Sequence, residues 1–274
     1  TDLIPKYLEF LCKEIECTAE IVKKLNLDIM TVYVGGGTPT TLSAEQLTVL
    51  LNKIHNCFGN SFTELTVEAG RPDTITKEKL KALKNGGVDR ISINPQTMND
   101  DVLINIGRRH TTGQTIEAFN LARTIGFKNI NMDLIAGLPG DTYKSFVNTV
   151  EQVISLSPES VTVHSLSLKR SSGLGQNSDF SYLKDGIEAG KMVEYAEKRL
   201  KEAEILPYYM YRQSKTIGNL ENVGYAKKGF EGIYNVYIMD ETHTILACGA
   251  SAVTKLKSNS DGQIERIFNY KYPY

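Results

Sequence analysis

"TVYVGGGTPTTL", residues 31–42, decides how the rest of the chain is read. A run of strand character stops in three consecutive glycines, and Thr-Pro-Thr-Thr-Leu follows. Ordered glycine costs conformational entropy and packs no side chain. Three at the mouth of a strand are either a flexible turn or a place where a ligand lies against bare main chain. The second reading is preferred, because removing three Cβ atoms lets an amine or carboxylate reach N–H and C=O groups directly.

Working outward, strand and helix patterns alternate. Before the quoted stretch, Ile4, Tyr7, Leu8, Leu11, Ile15, Ala19, Val22 and Leu25 recur at helical spacing, and a strand covers Ile29 to Val34. After it, Ser43 and Gln46 are placed as a capping box for a second helix. "ELTVEAG" (64–70), "DRISIN" (89–94), "NINMDLI" (129–135) and "SVTVHSL" (160–166) read as strands. Between them lie helical patterns: "TKEKLKALKNGG" closed by Gly86 and Gly87, the short "NDDVLINIG", "TGQTIEAFNLARTIGF" capped by Gly126, and a run through Val147, Val150 and Val153. A long helix is expected from about Tyr182 to Ala203 and a short strand around Tyr209. "GIYNVYIMDETHTILACGASAVTKL", 232–256, reads as β-hairpin structure.

Such alternation implies a parallel sheet with crossover helices. About six strands are too few for an eight-stranded barrel, and no Gly-x-Gly-x-x-Gly follows the first strand. The predicted fold is α/β, a partial barrel open on one side. Residues 1–206 form the barrel, and residues 207–274 its last strand and a β-rich extension of the same domain. With 274 residues, 41% apolar and 23% charged, the chain has the balance of a globular domain. A net charge of -1 offers no broad field for nucleic acid, and no apolar run approaches the roughly 20 residues a membrane span needs. Cys12, Cys17, Cys57 and Cys248 form no CxxC knuckle and read as small buried residues of a reducing cytoplasm.

Chemistry in parallel α/β folds collects at the C-terminal strand ends. Read in turn, these give Gly35, Gly36, Gly37 and Thr38; Glu68 and Arg71; Asn94 and Gln96; Asp133; His164 to Ser167; and Tyr209, Tyr211 and Arg212. Arg108, Arg109 and His110 sit in a turn on the same rim. Glu68 suits an ammonium or a ribose diol, and Arg108 a carboxylate held by two parallel hydrogen bonds. That combination matches an amino acid joined to a nucleoside. His55 and His243 read as structural, and His110 and His164 as candidates for cofactor or substrate contact.

"VGGGTPTTL", "EAGRPDT", "RISINPQTMND", "IGRRH", "INMDLIAGLPG" and "TVHSLSLKRSS", in this order, resemble the oxygen-independent coproporphyrinogen III oxidase group of radical S-adenosylmethionine proteins. The spellings "EAGRPDT", "INPQTM" and "NLENVGYA" are most similar to its HemZ branch. The resemblance implies a partial (β/α)6 barrel. It implies S-adenosyl-L-methionine held by Gly36, Gly37, Thr38, Glu68, Gln96, Arg108 and Asp133, with Ser167 and Val253 lining its adenine pocket. It also implies a [4Fe-4S] cluster on a CxxxCxxC motif, which this sequence lacks. Thr1 lies where that motif's loop would just have ended. The expectation is a truncation that removes the first strand and the cluster loop, with a natural paralogue that lost them as the alternative. The chain as given is then expected to be inactive.

For the intact protein, the resemblance implies oxidative decarboxylation of coproporphyrinogen III to protoporphyrinogen IX, with flavodoxin or ferredoxin as electron donor. The four substrate carboxylates call for basic residues; Arg71, Arg109, Lys169, Arg170 and Arg212 are the candidates by position. The alternative is haem binding and delivery, the role of a sister branch. That branch carries an "HNxxYW"-type motif where this chain reads "GIYNVYIMD", with Tyr234 and Tyr237.

Overall fold

The computed structural model describes residues 3–167, 186–213, 216–258 and 262–271. Its centre is a curled seven-stranded sheet, a half-barrel with helices on its convex side. Helix α1 (Ile4–Lys24) precedes strand β1 (Thr31–Val34). Units then follow as α2 (Ala44–Phe58), β2 (Glu64–Gly70), α3 (Lys77–Asn85), β3 (Arg90–Ile93), α4 (Asp100–Asn105), α5 (Thr112–Ile125), β4 (Asn129–Ala136), α6 (Tyr143–Leu156) and β5 (Ser160–Ser165). Strands β1 to β5 pair in sequence order and all in parallel.

Local sequence explains most element ends. Ser43 Oγ accepts from Gln46 N at 3.2 Å while Ser43 N donates to Gln46 Oε1 at 2.9 Å, the capping box read from the sequence. Gly126 ends α5 in the left-handed region, at φ 103°. Burial follows the strand period of two. Leu65, Val67, Ile91, Ile93, Ile130, Met132, Leu134, Val161 and Val163 join Leu47, Leu80, Phe119, Phe146 and Val150 in one core between sheet and helices. Truncating a side chain such as Phe119 or Phe146 there costs about 3–5 kcal/mol. Helix α1 packs Leu8 and Ile15 on Leu50 and Ile54 of α2, beside Val32 and Val34 of β1.

The second half departs from simple βα alternation. After α7 (Ile187–Glu202) comes β6 (Leu206–Tyr211), which does not pair with β5. Strand β7 (Asn222–Ala226), unforeseen in the sequence, runs antiparallel between them, giving the order β1-β2-β3-β4-β5-β7-β6. Its Gly224 lies under the ring of Tyr209, where an added Cβ would fall 1.8 Å from Cε1.

The expectation of hairpin structure over 232–256 needs correcting. Ile233–Asp240 is a helix, α8, and the hairpin lies further on, as β8 (Val253–Lys257) with β9 (Ile264–Phe268). The β-branched and aromatic run "IYNVYI" favours a strand locally. A tertiary cap overrides it: the buried Glu64 carboxylate of β2 accepts Ile233 N at 2.8 Å and Tyr234 N at 3.4 Å, satisfying two orphan donors of the first turn. Gly232, at the cap, leaves room for the buried Arg90 guanidinium, which would lie 2.3 Å from a Cβ.

Gly224→Ala should lower stability by about 2 kcal/mol, since the Tyr209 ring must move off the sheet. Chemical denaturation of the two proteins measures this difference.

Candidate functional site

The same two-residue period that sends aliphatic side chains outward leaves polar ones on the concave face. From β2 to β5 these are Glu64, Thr66 and Glu68; Arg90 and Ser92; Asn131 and Asp133; and Ser160, Thr162 and His164. They form layers. Glu64 and Arg90 lie at the N-terminal end with α8 packed over them, and Arg90 reaches Phe230 O and Tyr208 Oη at 3.5 Å. Ser92, Asn131 and Thr162 make the middle layer, linked through the Asn131 amide at 3.3–3.4 Å. Glu68, Asp133 and His164 occupy the C-terminal end.

There the two carboxylates have opposite environments. Burial pushes the Glu68 carboxyl above the ordinary carboxylate range, the nearby charge of Asp133 adds to this, and bonds from the Tyr33 hydroxyl and the Gly36 N–H only partly offset it. Asp133 is partly buried too, but His164, Asn131 and Thr162 outweigh that effect and hold it below its usual value. Asn131 Nδ2 donates to Asp133 Oδ1 at 2.7 Å, and His164 Nε2 stands 3.8 Å from Oδ2, too long for a direct hydrogen bond. His164 Nδ1 meets the Tyr211 hydroxyl at 3.3 Å.

The glycine turn divides its work. A Cβ on Gly35 would strike the Tyr33 ring at 2.4 Å, so this glycine serves packing rather than a ligand. Gly36 and Gly37 have φ of 73° and 52°, and a Cβ on either would meet nothing within 4 Å. Their conformation excludes most side chains and the space beside them is open. Thr38 follows, its carbonyl accepting from Thr41 N.

Gln96 continues the β3–β4 pairing past the strand end, donating to Asp133 O at 3.0 Å and accepting from Ile135 N at 2.9 Å, with φ at 67°. Nearby, Asn94 Oδ1 is buried without a partner. The Arg108 guanidinium is half-buried and makes no hydrogen bond or ion pair among the described residues. Burial and the positive charge of Arg71 pull its pKa down, against the pull of Asp73. His110 is buried as well, with Nε2 at 3.3 Å from Pro95 O and Nδ1 unpartnered; burial lowers its pKa, so it is neutral at pH 7.

Other sequence candidates are engaged elsewhere. Arg71 makes a two-pronged bond to Asp73, at 2.6 and 3.1 Å. Arg212 pairs with Glu221 at 2.9 Å, and Arg109 is exposed. Ser167 bridges Thr216 beyond β5. Val253 starts β8 in the second sheet, whose flanking Gly249 and Asn269 bond to Glu14 of α1, so it is not a strand-end residue of the half-barrel. Lys169 and Arg170 lie outside the described residues. The sequence reading missed Tyr33 and Asn131. Their strand-parity positions, two residues before Gly35 and Asp133, were the available signal.

The sequence profile of the Radical SAM superfamily matches residues 6–153. The chain belongs to that superfamily. It is 43% identical over 98% of its length to the oxygen-independent coproporphyrinogen-III oxidase-like protein HemZ of Bacillus subtilis, of which it covers 54%. It is 35% identical over 90% of its length to the heme chaperone HemW of the same organism, covering 62% of that protein. Thus the chain spans little more than half of these relatives. The coproporphyrinogen III oxidase HemN of Escherichia coli shares the fold, with a TM-score of 0.76, 22% identity, and coverage of 98% of this chain and 60% of that one.

Radical SAM membership implies S-adenosylmethionine and a [4Fe-4S] cluster. The strand-end residues fit the first: two open glycines, an orphaned Asn94 oxygen, an uncompensated guanidinium and two carboxylates. They do not fit the second, because Cys12 and Cys17 lie on α1, Cys57 on α2, and no metal-holding group of His, Cys, Asp or Glu occurs among the described residues.

The raised Glu68 makes a stability prediction. A carboxyl with a raised folded-state pKa destabilises the fold above that pKa and costs nothing once pH falls below the unfolded value, about 4.3. Glu68→Gln should therefore be more stable than the parent at pH 7, with the gain vanishing towards pH 4. Urea melts across that range measure it.

Proposed function

We propose that this chain is the S-adenosylmethionine-binding half-barrel of a tetrapyrrole-modifying radical enzyme that decarboxylates coproporphyrinogen III to protoporphyrinogen IX without oxygen. The observation that carries the cofactor part is that Glu68, Asp133 and the Gly36–Gly37 turn meet at one set of strand ends, with an unpaired Arg108 near Arg71, the residue after β2.

Each group has a task set by its chemistry. Arg108, lacking an anion of its own, takes the methionine carboxylate in a charge-assisted pair. The bare main chain at Gly36 and Gly37, with Thr38, receives the amino group. Asp133, held ionised by its neighbours, accepts from a ribose hydroxyl, and Gln96 stands beside it. Glu68 takes the remaining ribose or ammonium donor. The bound cofactor supplies the hydrogen-abstracting chemistry of the superfamily; these residues orient it, and the half-barrel keeps water from it. Ser167 and Val253 are kept in this proposal as adenine contacts. Among the basic residues, Arg109 has no ion pair among the described residues, whereas Arg71 and Arg212 must exchange Asp73 and Glu221 for a substrate carboxylate. Arg170 completes the proposed substrate set, and flavodoxin or ferredoxin is the proposed electron donor.

HemZ-like similarity at 43% identity supports the oxidase reading. Similarity to HemW at 35% supports a second one, haem binding and delivery without decarboxylation.

Two measurements test the proposal. Arg108→Ala should weaken S-adenosylmethionine binding about tenfold by calorimetry, since losing a half-buried, charge-assisted pair costs about 1.4 kcal/mol. A longer form that also carries the CxxxCxxC motif, purified anaerobically, reconstituted with iron and sulfide and reduced, should remove two carboxyl groups from coproporphyrinogen III only when S-adenosylmethionine is present. Mass-detected chromatography of the oxidised porphyrins reads this out. Formation of 5′-deoxyadenosine with unchanged porphyrin would overturn the substrate, and stoichiometric haem binding would then favour the second reading.

A further inference from the structure

Beneath the glycine turn, two tyrosines from distant parts of the chain meet. Tyr33, on β1, stacks on Tyr234, in the first turn of α8, with ring centroids 4.3 Å apart and planes 15° from parallel. The Tyr33 hydroxyl donates to Glu68. Gly35 leaves room for the Tyr33 ring, and Glu64 fixes α8 through the Ile233 and Tyr234 amides. The two rings also line an apolar cavity of about 430 Å³ that runs along α1 beside β1. They therefore separate a carboxylate from apolar space.

We propose that Tyr33 and Tyr234 are positioning residues for Glu68: the stacked pair holds its carboxylate towards the glycine turn, where it meets a cationic or hydroxylic group of the cofactor. This rests on the S-adenosylmethionine reading above. Every element around Glu68 contributes to its charge balance. Asp133 from β4 repels it, His164 from β5 and the Gly36 N–H favour its ionised form, and Tyr33 from β1 donates to it. His164 also faces Asp133, at 3.8 Å, so the phenol is the donor that belongs to Glu68 by contact. A phenol can do this only in one rotamer. Tyr234 covers one face of the ring and keeps it there, worth about 0.5–1.5 kcal/mol for such aromatic pairs beyond their burial.

The test uses the chain with Tyr33→Phe, Tyr234→Ala and Tyr234→Phe. Carbon-13 NMR of the Glu68 carboxyl follows its titration, and calorimetry follows S-adenosylmethionine binding at pH 6 and pH 8. Tyr33→Phe should move the Glu68 midpoint upward and weaken binding about tenfold, with a smaller loss at pH 8 than at pH 6, as expected for one lost charge-assisted hydrogen bond. Tyr234→Ala should shift the midpoint in the same direction, and Tyr234→Phe, which keeps the stack, should match the parent. An unmoved midpoint in Tyr33→Phe, or Tyr234→Ala titrating like the parent, overturns the proposal. A shifted midpoint in a chain that binds no S-adenosylmethionine at either pH overturns the cofactor reading while supporting the Tyr33–Glu68 coupling.

Discussion

The constraint on which this structure rests is the alternation of side chains along β2 to β5. Ile91, Ile130, Met132, Val161 and Val163 must be buried beneath the helices, and a strand offers no other way to do so than to send their neighbours the opposite way. Ser92, Asn131, Asp133, Thr162 and His164 thereby share one concave face. A register slip by a single residue would exchange the two sets. The aliphatic core thus fixes the position of the polar wall as firmly as it fixes the fold.

On that wall, similar groups are driven apart by their surroundings. Glu68 and Asp133 are both carboxylates at strand ends, yet burial outweighs the neighbours of the first, while His164, Asn131 and Thr162 together outweigh burial at the second. An arrangement optimised for stability alone would not keep a carboxyl raised by burial at the end of β2. Perturbed groups gathered in one concavity are the usual mark of a binding or catalytic site.

Much of this was legible in the residues, for identifiable reasons. The Ser43–Gln46 capping box, the Gly126 cap and the strand runs are local codes, and each appears in the structure. The strand-end rule gathered Glu68, Gln96 and Asp133 onto one rim. What failed depended on partners far along the chain. Residues 233–240 have strand-like composition, but the Glu64 carboxylate, 169 residues from Ile233, caps them as a helix. Strand β7 is short and contains a glycine whose value is visible only under the Tyr209 ring. Arg71 and Arg212 looked free in sequence, where their pairing with Asp73 and Glu221 cannot be seen. Even Gly35, one of three identical letters, serves a different purpose from its neighbours.

Strand β1 ends the sheet, with β2 as its only strand partner among the described residues. Its outer side therefore carries a row of main-chain donors and acceptors next to the apolar cavity along α1. Such an edge is a template for any extended segment with the right spacing, including the same strand of a neighbouring molecule.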